Sequence, residues 1–160
     1  MKITLITGMS ATGKSTVIRD LVSRGHKAID LDTEAFSVWV DATGDDDEVK
    51  PGKDWVWNEP RVLELLQHKE PLFVSGCASN MAKFYPYFDH IILLTAPDAV
   101  IVQRLSQRQG NAYGQSPEEA ERVLRLKQVI EPLLREDADL EIDTSVADQS
   151  AAELILRHTE

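Results

Sequence analysis

The sequence predicts a three-layer α/β domain, with a central parallel sheet of about five strands covered by helices on both faces. Three observations predict it. Short apolar, β-branched runs alternate with stretches whose apolar residues recur at helical spacing. Residues 90–95, His-Ile-Ile-Leu-Leu-Thr, are apolar almost throughout, as a central strand buried on both faces must be. A glycine-bearing segment, residues 8–15, sits between the first strand and the first helix.

Residues 2–7 form the first strand: five of the six are apolar or β-branched, and Gly8 ends the run. Residues 14–24 carry Val17, Ile18, Leu21 and Val22 on one helical stripe, closed by Gly25. Residues 26–30 are the second strand. Thr33 is placed to cap a helix from Glu34 that carries Phe36, Trp39 and Val40. Residues 41–54 are acidic, hold Gly44, Pro51 and Gly52, and read as a mobile loop. A helix over 59–69 turns Val62, Leu63, Leu65 and Leu66 to one side, and residues 72–75 make the third strand. A short helix over 79–85 precedes the fourth strand, 90–95. Pro97 suits the first turn of a helix reaching about residue 109. Residues 110–116, with Gly110, Asn111, Tyr113 and Gly114, read as an exposed loop. The long helix 117–135 opens with Glu118 and Glu119, favourable to its dipole, and Pro132 is expected to bend it or end it early. Residues 140–143 are the fifth strand, and 150–157 the terminal helix.

The 160 residues suit one domain, 1–160, with a lid over 108–117 and an acceptor-side flap and loop over 33–60. Lys and Arg total 17 against 27 Asp and Glu, a net charge of −10. That balance disfavours nucleic acid as a partner, since phosphate contacts need clustered cations. A single cysteine, Cys77, excludes an internal disulfide framework. No run of 18 apolar residues exists, so no membrane span is expected. The apolar run 3–7 is too short for a secretory signal, which points to a reducing cytoplasm.

The chemistry begins with Gly8-Met9-Ser10-Ala11-Thr12-Gly13-Lys14-Ser15, a full match to G-x-x-x-x-G-K-S in the strand–loop–helix setting the motif needs. A polyphosphate lies at the helix N-terminus, where free N–H groups and the dipole favour negative charge. Glycines let the loop wrap its amides inward as an anion nest. Lys14 then reaches the β- and γ-phosphates, the Ser15 hydroxyl ligates Mg²⁺, and Thr16 is placed for the α-phosphate. The expectation is accordingly a P-loop NTPase fold that binds a nucleoside triphosphate with Mg²⁺.

Asp30 and Asp32 end the second strand, on the same side of an extended backbone and at the edge where ligands bind in doubly wound folds. One reading gives Asp30 to the Mg²⁺ shell, through water, and Asp32 to the acceptor hydroxyl. The other makes them a solvated strand end, with Asp32 capping the next helix.

The chain resembles the small P-loop kinases, the group holding shikimate, gluconate and nucleoside monophosphate kinases. Asp30-Leu31-Asp32 resembles the D-x-D of the shikimate type. Pro60-Arg61-Val62-Leu63-Glu64 resembles F-R-x-x-E, which implies that Arg61 holds the acceptor. Ser75-Gly76-Cys77 stands where those kinases carry a glycine triplet, which implies that the Gly76 backbone lines the acceptor site. Arg104-Leu105-Ser106-Gln107-Arg108, ahead of Gly110-Asn111-Ala112-Tyr113-Gly114, resembles the start of a lid, and Asp143-Thr144-Ser145 resembles the turn beside the adenine. These likenesses imply ATP, with Arg104 and Thr144 among its contacts. Ile130 replaces the arginine that grips a carboxylate in shikimate kinases, and Arg61 alone makes a poorer clamp than a pair, which points away from shikimate itself.

Arg104 and Arg108 lie one helical turn apart on one face. A closing lid brings Arg108 onto the transferring phosphoryl group; otherwise the pair is a solvated helix end. Ser79 and Asn80 either supply acceptor hydrogen bonds or cap a helix, and Trp39, Trp55 and Trp57 either form an apolar flap or anchor the acidic loop. Residues 45–48 read as solvated acids, Cys77 carries no nucleophilic role, and His26, His68, His90 and His158 show no ligand spacing. The resulting expectation is an ATP-dependent phosphotransferase that moves the γ-phosphoryl group to a hydroxyl or phosphate of a small molecule. Lys14, Asp32 and Arg108 are its catalytic residues. The alternative is an ATP- or GTP-hydrolysing switch acting on a protein partner. Strand three ends Val74-Ser75-Gly76 without the acid such switches use, and no N-K-x-D guanine motif occurs, which favours the kinase.

Overall fold

Neighbouring side chains of each inner strand go to opposite layers, and the architecture follows from that alternation. In chain order the elements are β1 (Ile3–Thr7), α1 (Lys14–Ser23), β2 (Ala28–Asp30), β3 (Ser37–Asp41), β4 (Lys53–Trp57), α2 (Glu59–Leu66) and β5 (Leu72–Ser75). A 3₁₀ segment Met81–Tyr87, β6 (His90–Thr95), α3 (Asp98–Gln107), α4 (Pro117–Asp137), β7 (Leu140–Asp143) and α5 (Ala151–Thr159) complete them. The computed structural model describes residues 2–41, 53–68, 70–108, 115–146 and 150–160.

Five strands form a parallel sheet in the order β2-β5-β1-β6-β7. Leu5, Val74, Ile91 and Leu93 face one layer, with Val62, Leu66, Met81, Phe84 and Leu134. Ile6, Phe73, Ile92 and Leu94 face the other, with Val17, Ile18, Leu21, Ala152 and Ile155. A smaller cluster of Ala96, Ile101, Leu105 and Val123 joins α3 to α4 at the carboxyl edge. All five expected strands and the three-layer α/β class are present. Ser116 and Ser150 accept from the amides of Glu119 and Glu153, so α4 and α5 each begin on a Ser-x-x-Glu sequence.

Three expectations are corrected. The helix from Glu34 through Val40 is instead a turn followed by β3, which pairs antiparallel with β4. Thr33 accepts from the amides of Phe36 and Ser37 rather than capping a helix. The cross-strand pair Trp39–Trp55, ring centroids 4.9 Å apart, and the Lys53–Asp41 ion pair favour the hairpin. Lys53 and Asp54 therefore belong to a strand, while positions 42–52 of the expected loop lie outside the described residues. Pro132 does not end α4, which continues to Asp137. Buried Leu134 and the bonds of Arg135 to Glu131 and Glu141 hold the last turns. The short helix is a 3₁₀ segment with Pro86 inside it. Lys69, the end of the helix expected over 59–69, and positions 109–114 of the expected lid also lie outside the described residues.

Burial, not hydrophobicity alone, decides the stability of an apolar residue here. Leu93 is 0% exposed between both layers, whereas Leu133 on α4 is 56% exposed. Leu93→Ala is expected to cost about 2–5 kcal/mol in urea unfolding, and Leu133→Ala about 0.5 kcal/mol or less.

Candidate active site

The carboxyl ends of the parallel strands border a cavity of about 1340 Å³. Its floor is the turn from β1 into α1. A Cβ on Gly8 would stand 2.5 Å from the Leu94 carbonyl oxygen and 2.7 Å from Thr12 Oγ1, so only glycine passes there. Gly13, at φ 105°, starts α1 from the left-handed region, and Ala11, at φ 63°, occupies that region without being glycine. A non-glycine residue there is strained by about 1–2 kcal/mol. Buried Thr12 closes the loop, its amide and hydroxyl both donating to the Met9 carbonyl. Lys14 Nζ lies across the loop, donating to the carbonyls of Gly8 at 2.7 Å and Met9 at 2.9 Å.

The loop is braced from the far end of the chain. Thr144 Oγ1 donates to the Thr12 carbonyl at 2.7 Å. The Arg104 guanidinium donates to the Ala11 carbonyl, to Thr144 Oγ1 and to the Thr144 carbonyl, all within 3.0 Å. Asp143 fixes the turn by accepting from the amide and hydroxyl of Ser145, and these bonds lower its pKa.

Asp32 stands apart electrostatically. Its Oδ1 accepts from Trp57 Nε1 at 3.0 Å and its Oδ2 from the Cys77 amide at 2.9 Å. Burial pushes its pKa above the ordinary value of 3.8, against the pull of Lys14 and the two N–H donors, while Asp30 adds to the rise. Asp30 Oδ1 accepts from the Asp32 amide, which orients the pair. Gly76 makes room for this contact: a Cβ there would meet the Trp57 ring at 2.7 Å and Asp32 Oδ1 at 2.9 Å. Asn80 holds Trp57 in place by pairing its side-chain amide with both the N–H and the carbonyl of that residue.

Of the candidate site residues, Ser10, Ala11, Gly13, Lys14, Ser15, Thr16, Asp30, Asp32, Arg104, Arg108 and Thr144 line the cavity. Gly8, Met9 and Thr12 shape the loop from behind. Gly76 reaches the site only by its contact with Trp57 and Asp32. Arg61 is not in the cavity wall; its guanidinium donates to the Ala35 carbonyl at 2.6 Å and so holds the turn before β3. Arg108 ends α3 at the wall, and burial lowers its pKa. Ser79 bonds Asp54 and Asn80 bonds Trp57, so both tether β4. The sequence reading did not single out the Trp57 indole as the partner of Asp32. They lie 25 positions apart, and only the strand alternation of residues 53–57 hints at it.

No helix among the described residues is long and apolar enough to cross a membrane. No curated protein matches the sequence. In fold the chain is similar to shikimate kinase from Acinetobacter baumannii in complex with shikimate, with a TM-score of 0.63 at 20% identity over 99% of this chain and 90% of that one. It is also similar to shikimate kinase from Aquifex aeolicus vf5, with a TM-score of 0.62 at 13% identity over 98% of this chain and 95% of that one. A third is deoxyadenosine kinase from M. mycoides with bound dATP, with a TM-score of 0.59 at 15% identity and 99% of each chain covered. The shared fold is that of small P-loop kinases. Residues 4–125, from the first strand through the phosphate loop into α4, match the family model of the AAA domain, and the chain belongs to that family.

Proposed function

We propose that this chain is an ATP-dependent phosphotransferase that moves the γ-phosphoryl group to a hydroxyl or phosphate of a small molecule. One observation carries the reading beyond nucleotide binding. The half-buried carboxylate Asp32 is held by two N–H donors on the cavity wall, beside the lysine of the phosphate loop. A perturbed carboxylate next to a triphosphate cradle suits an acceptor hydroxyl.

In this reading the triphosphate draws Lys14 Nζ from the Gly8 and Met9 carbonyls to its β- and γ-oxygens. Arg104 lies toward the triphosphate, and Thr144 borders the base. The likeness to the kinase folds supports ATP as the nucleotide. Ser15 and Asp30 offer a hydroxyl and a carboxylate on one cavity wall, a hard-oxygen donor set that fits Mg²⁺, with Asp30 acting through water. When bound, the ion supplies neutralisation of phosphate charge. Arg108, a cation on the same wall, spreads charge over the transferring group. Asp32 orients the acceptor hydroxyl and takes its proton. Gly76 and Trp57 shape the floor beneath the acceptor, and Arg61 serves that side through the turn it holds. The acceptor-side flap, residues 33–60, includes the hairpin β3–β4.

Four tests follow from these roles. Lys14→Ala should abolish transfer. Asp32→Asn should keep ATP affinity, by calorimetry, and lower turnover about 10²-fold or more with a metabolite pool as acceptor; full turnover would remove the assigned role. A neutral carboxyl cannot take a proton, so kcat/KM should fall as pH drops through the Asp32 pKa, with an acid limb above 3.8 that Asp32→Asn abolishes. Gly76→Ala should push the indole off Asp32, which fluorescence of Trp57 reports. The acceptor KM should then rise while ATP affinity stays unchanged.

A further inference from the structure

At the amino edge of the sheet, opposite the triphosphate cavity, β6 and β7 begin side by side and α5 ends. Asp139 is fixed twice on the Ile91 backbone: its amide donates to the Ile91 carbonyl at 2.9 Å, and its Oδ1 accepts from the Ile91 amide. The remaining oxygen, Oδ2, faces two imidazoles. His90 Nδ1 lies 3.1 Å from it, and His158 Nε2 is hydrogen-bonded to it from the last turn of α5. The two rings meet edge to face with centroids 5.2 Å apart. His90 Nε2 is buried without a hydrogen-bond partner, so Nδ1 is the nitrogen of that ring that a ligand can reach from outside.

The geometry points to a site for a divalent transition-metal ion of the zinc type, held by His90 Nδ1, Asp139 Oδ2 and His158 Nε2. These three atoms already lie within 4.8 Å of one another. Two imidazole nitrogens with one carboxylate oxygen suit zinc-like ions, whereas Mg²⁺ takes oxygen. Tetrahedral bonds of about 2.0–2.1 Å set ligand atoms about 3.4 Å apart, so binding asks only for small turns of the histidines. Their side chains are 19% and 30% exposed, which gives them that freedom and leaves the fourth position to water. The Ile91 amide on Oδ1 is the outer contact that orients a ligating carboxylate. The carbonyl end of α5 adds a field that favours a cation. The ion would join the terminal helix to the starts of two strands, a stabilising role separate from the nucleotide site. The four histidines show no ligand spacing in sequence because 49 positions separate His90 from Asp139 and a further 19 lead to His158.

Untagged, chelator-treated protein titrated with Co²⁺ and with Zn²⁺ tests this. One equivalent should bind, Co²⁺ should show the visible absorption of a four- or five-coordinate ion, and the Tm should rise with metal concentration. His158→Ala should weaken binding about tenfold or more, while His26→Ala and His68→Ala should not. Should His158→Ala melt too early to titrate, His90→Ala and Asp139→Asn make the same comparison. Metal affinity unchanged by all three substitutions, or no Zn²⁺ binding below millimolar concentration, would overturn the assignment. Calorimetry of Mg²⁺–ATP binding to His158→Ala should match the parent protein, which keeps this result independent of the proposed phosphotransfer.

Discussion

At Gly8 and Gly76 the chain passes so close to a neighbour that one added methyl group would meet an oxygen or a ring atom at 2.5–2.9 Å. Both glycines sit at the carboxyl edge of adjacent strands, β1 and β5. The first lets the phosphate loop cross the end of β6; the second lets the Trp57 indole lie over the backbone and reach Asp32. The phosphate loop and the half-buried carboxylate are therefore held in mutual register by main chain. Side chains with several rotamers would hold that spacing less firmly, and phosphoryl transfer depends on positioning.

Asp32 carries an electrostatic tension that the fold sustains. Burial disfavours its charge, while Lys14, the Trp57 N–H and the Cys77 amide favour it. A fully solvated aspartate would be a weaker base, and an unsupported buried one would remain neutral. The hairpin β3–β4 supplies the indole, and Asn80 fastens that hairpin through the Trp57 backbone. The region that looks peripheral in the topology thus supplies one of the contacts that favour the charged carboxylate.

The strands were legible because residues such as 90–95 are too apolar to lie anywhere but between two layers. The phosphate loop was legible because its constraint is local, eight consecutive residues between a strand and a helix. The hairpin was misread because Phe36, Trp39 and Val40 also satisfy helical spacing, and the partner strand lies beyond an acidic stretch. Alternation in Ser-Val-Trp-Val-Asp and Lys-Asp-Trp-Val-Trp was the available signal. Pro132 was read from local sterics, which the packing of Leu134 and the Arg135 ion pairs override. The contacts of Arg61 with Ala35 and of Trp57 with Asp32 are tertiary, and no residue pattern specifies them.

The brace from Thr144 to Thr12 spans 132 positions. During synthesis Thr12 therefore precedes, by that whole interval, the hydroxyl that fastens its carbonyl. In that interval the loop, with its left-handed Ala11, is held by the local bonds of Thr12 and Lys14 alone and then by Arg104. The loop from β1 into α1 is consequently fastened only once the residue after β7 has been made, however early its own residues are in place.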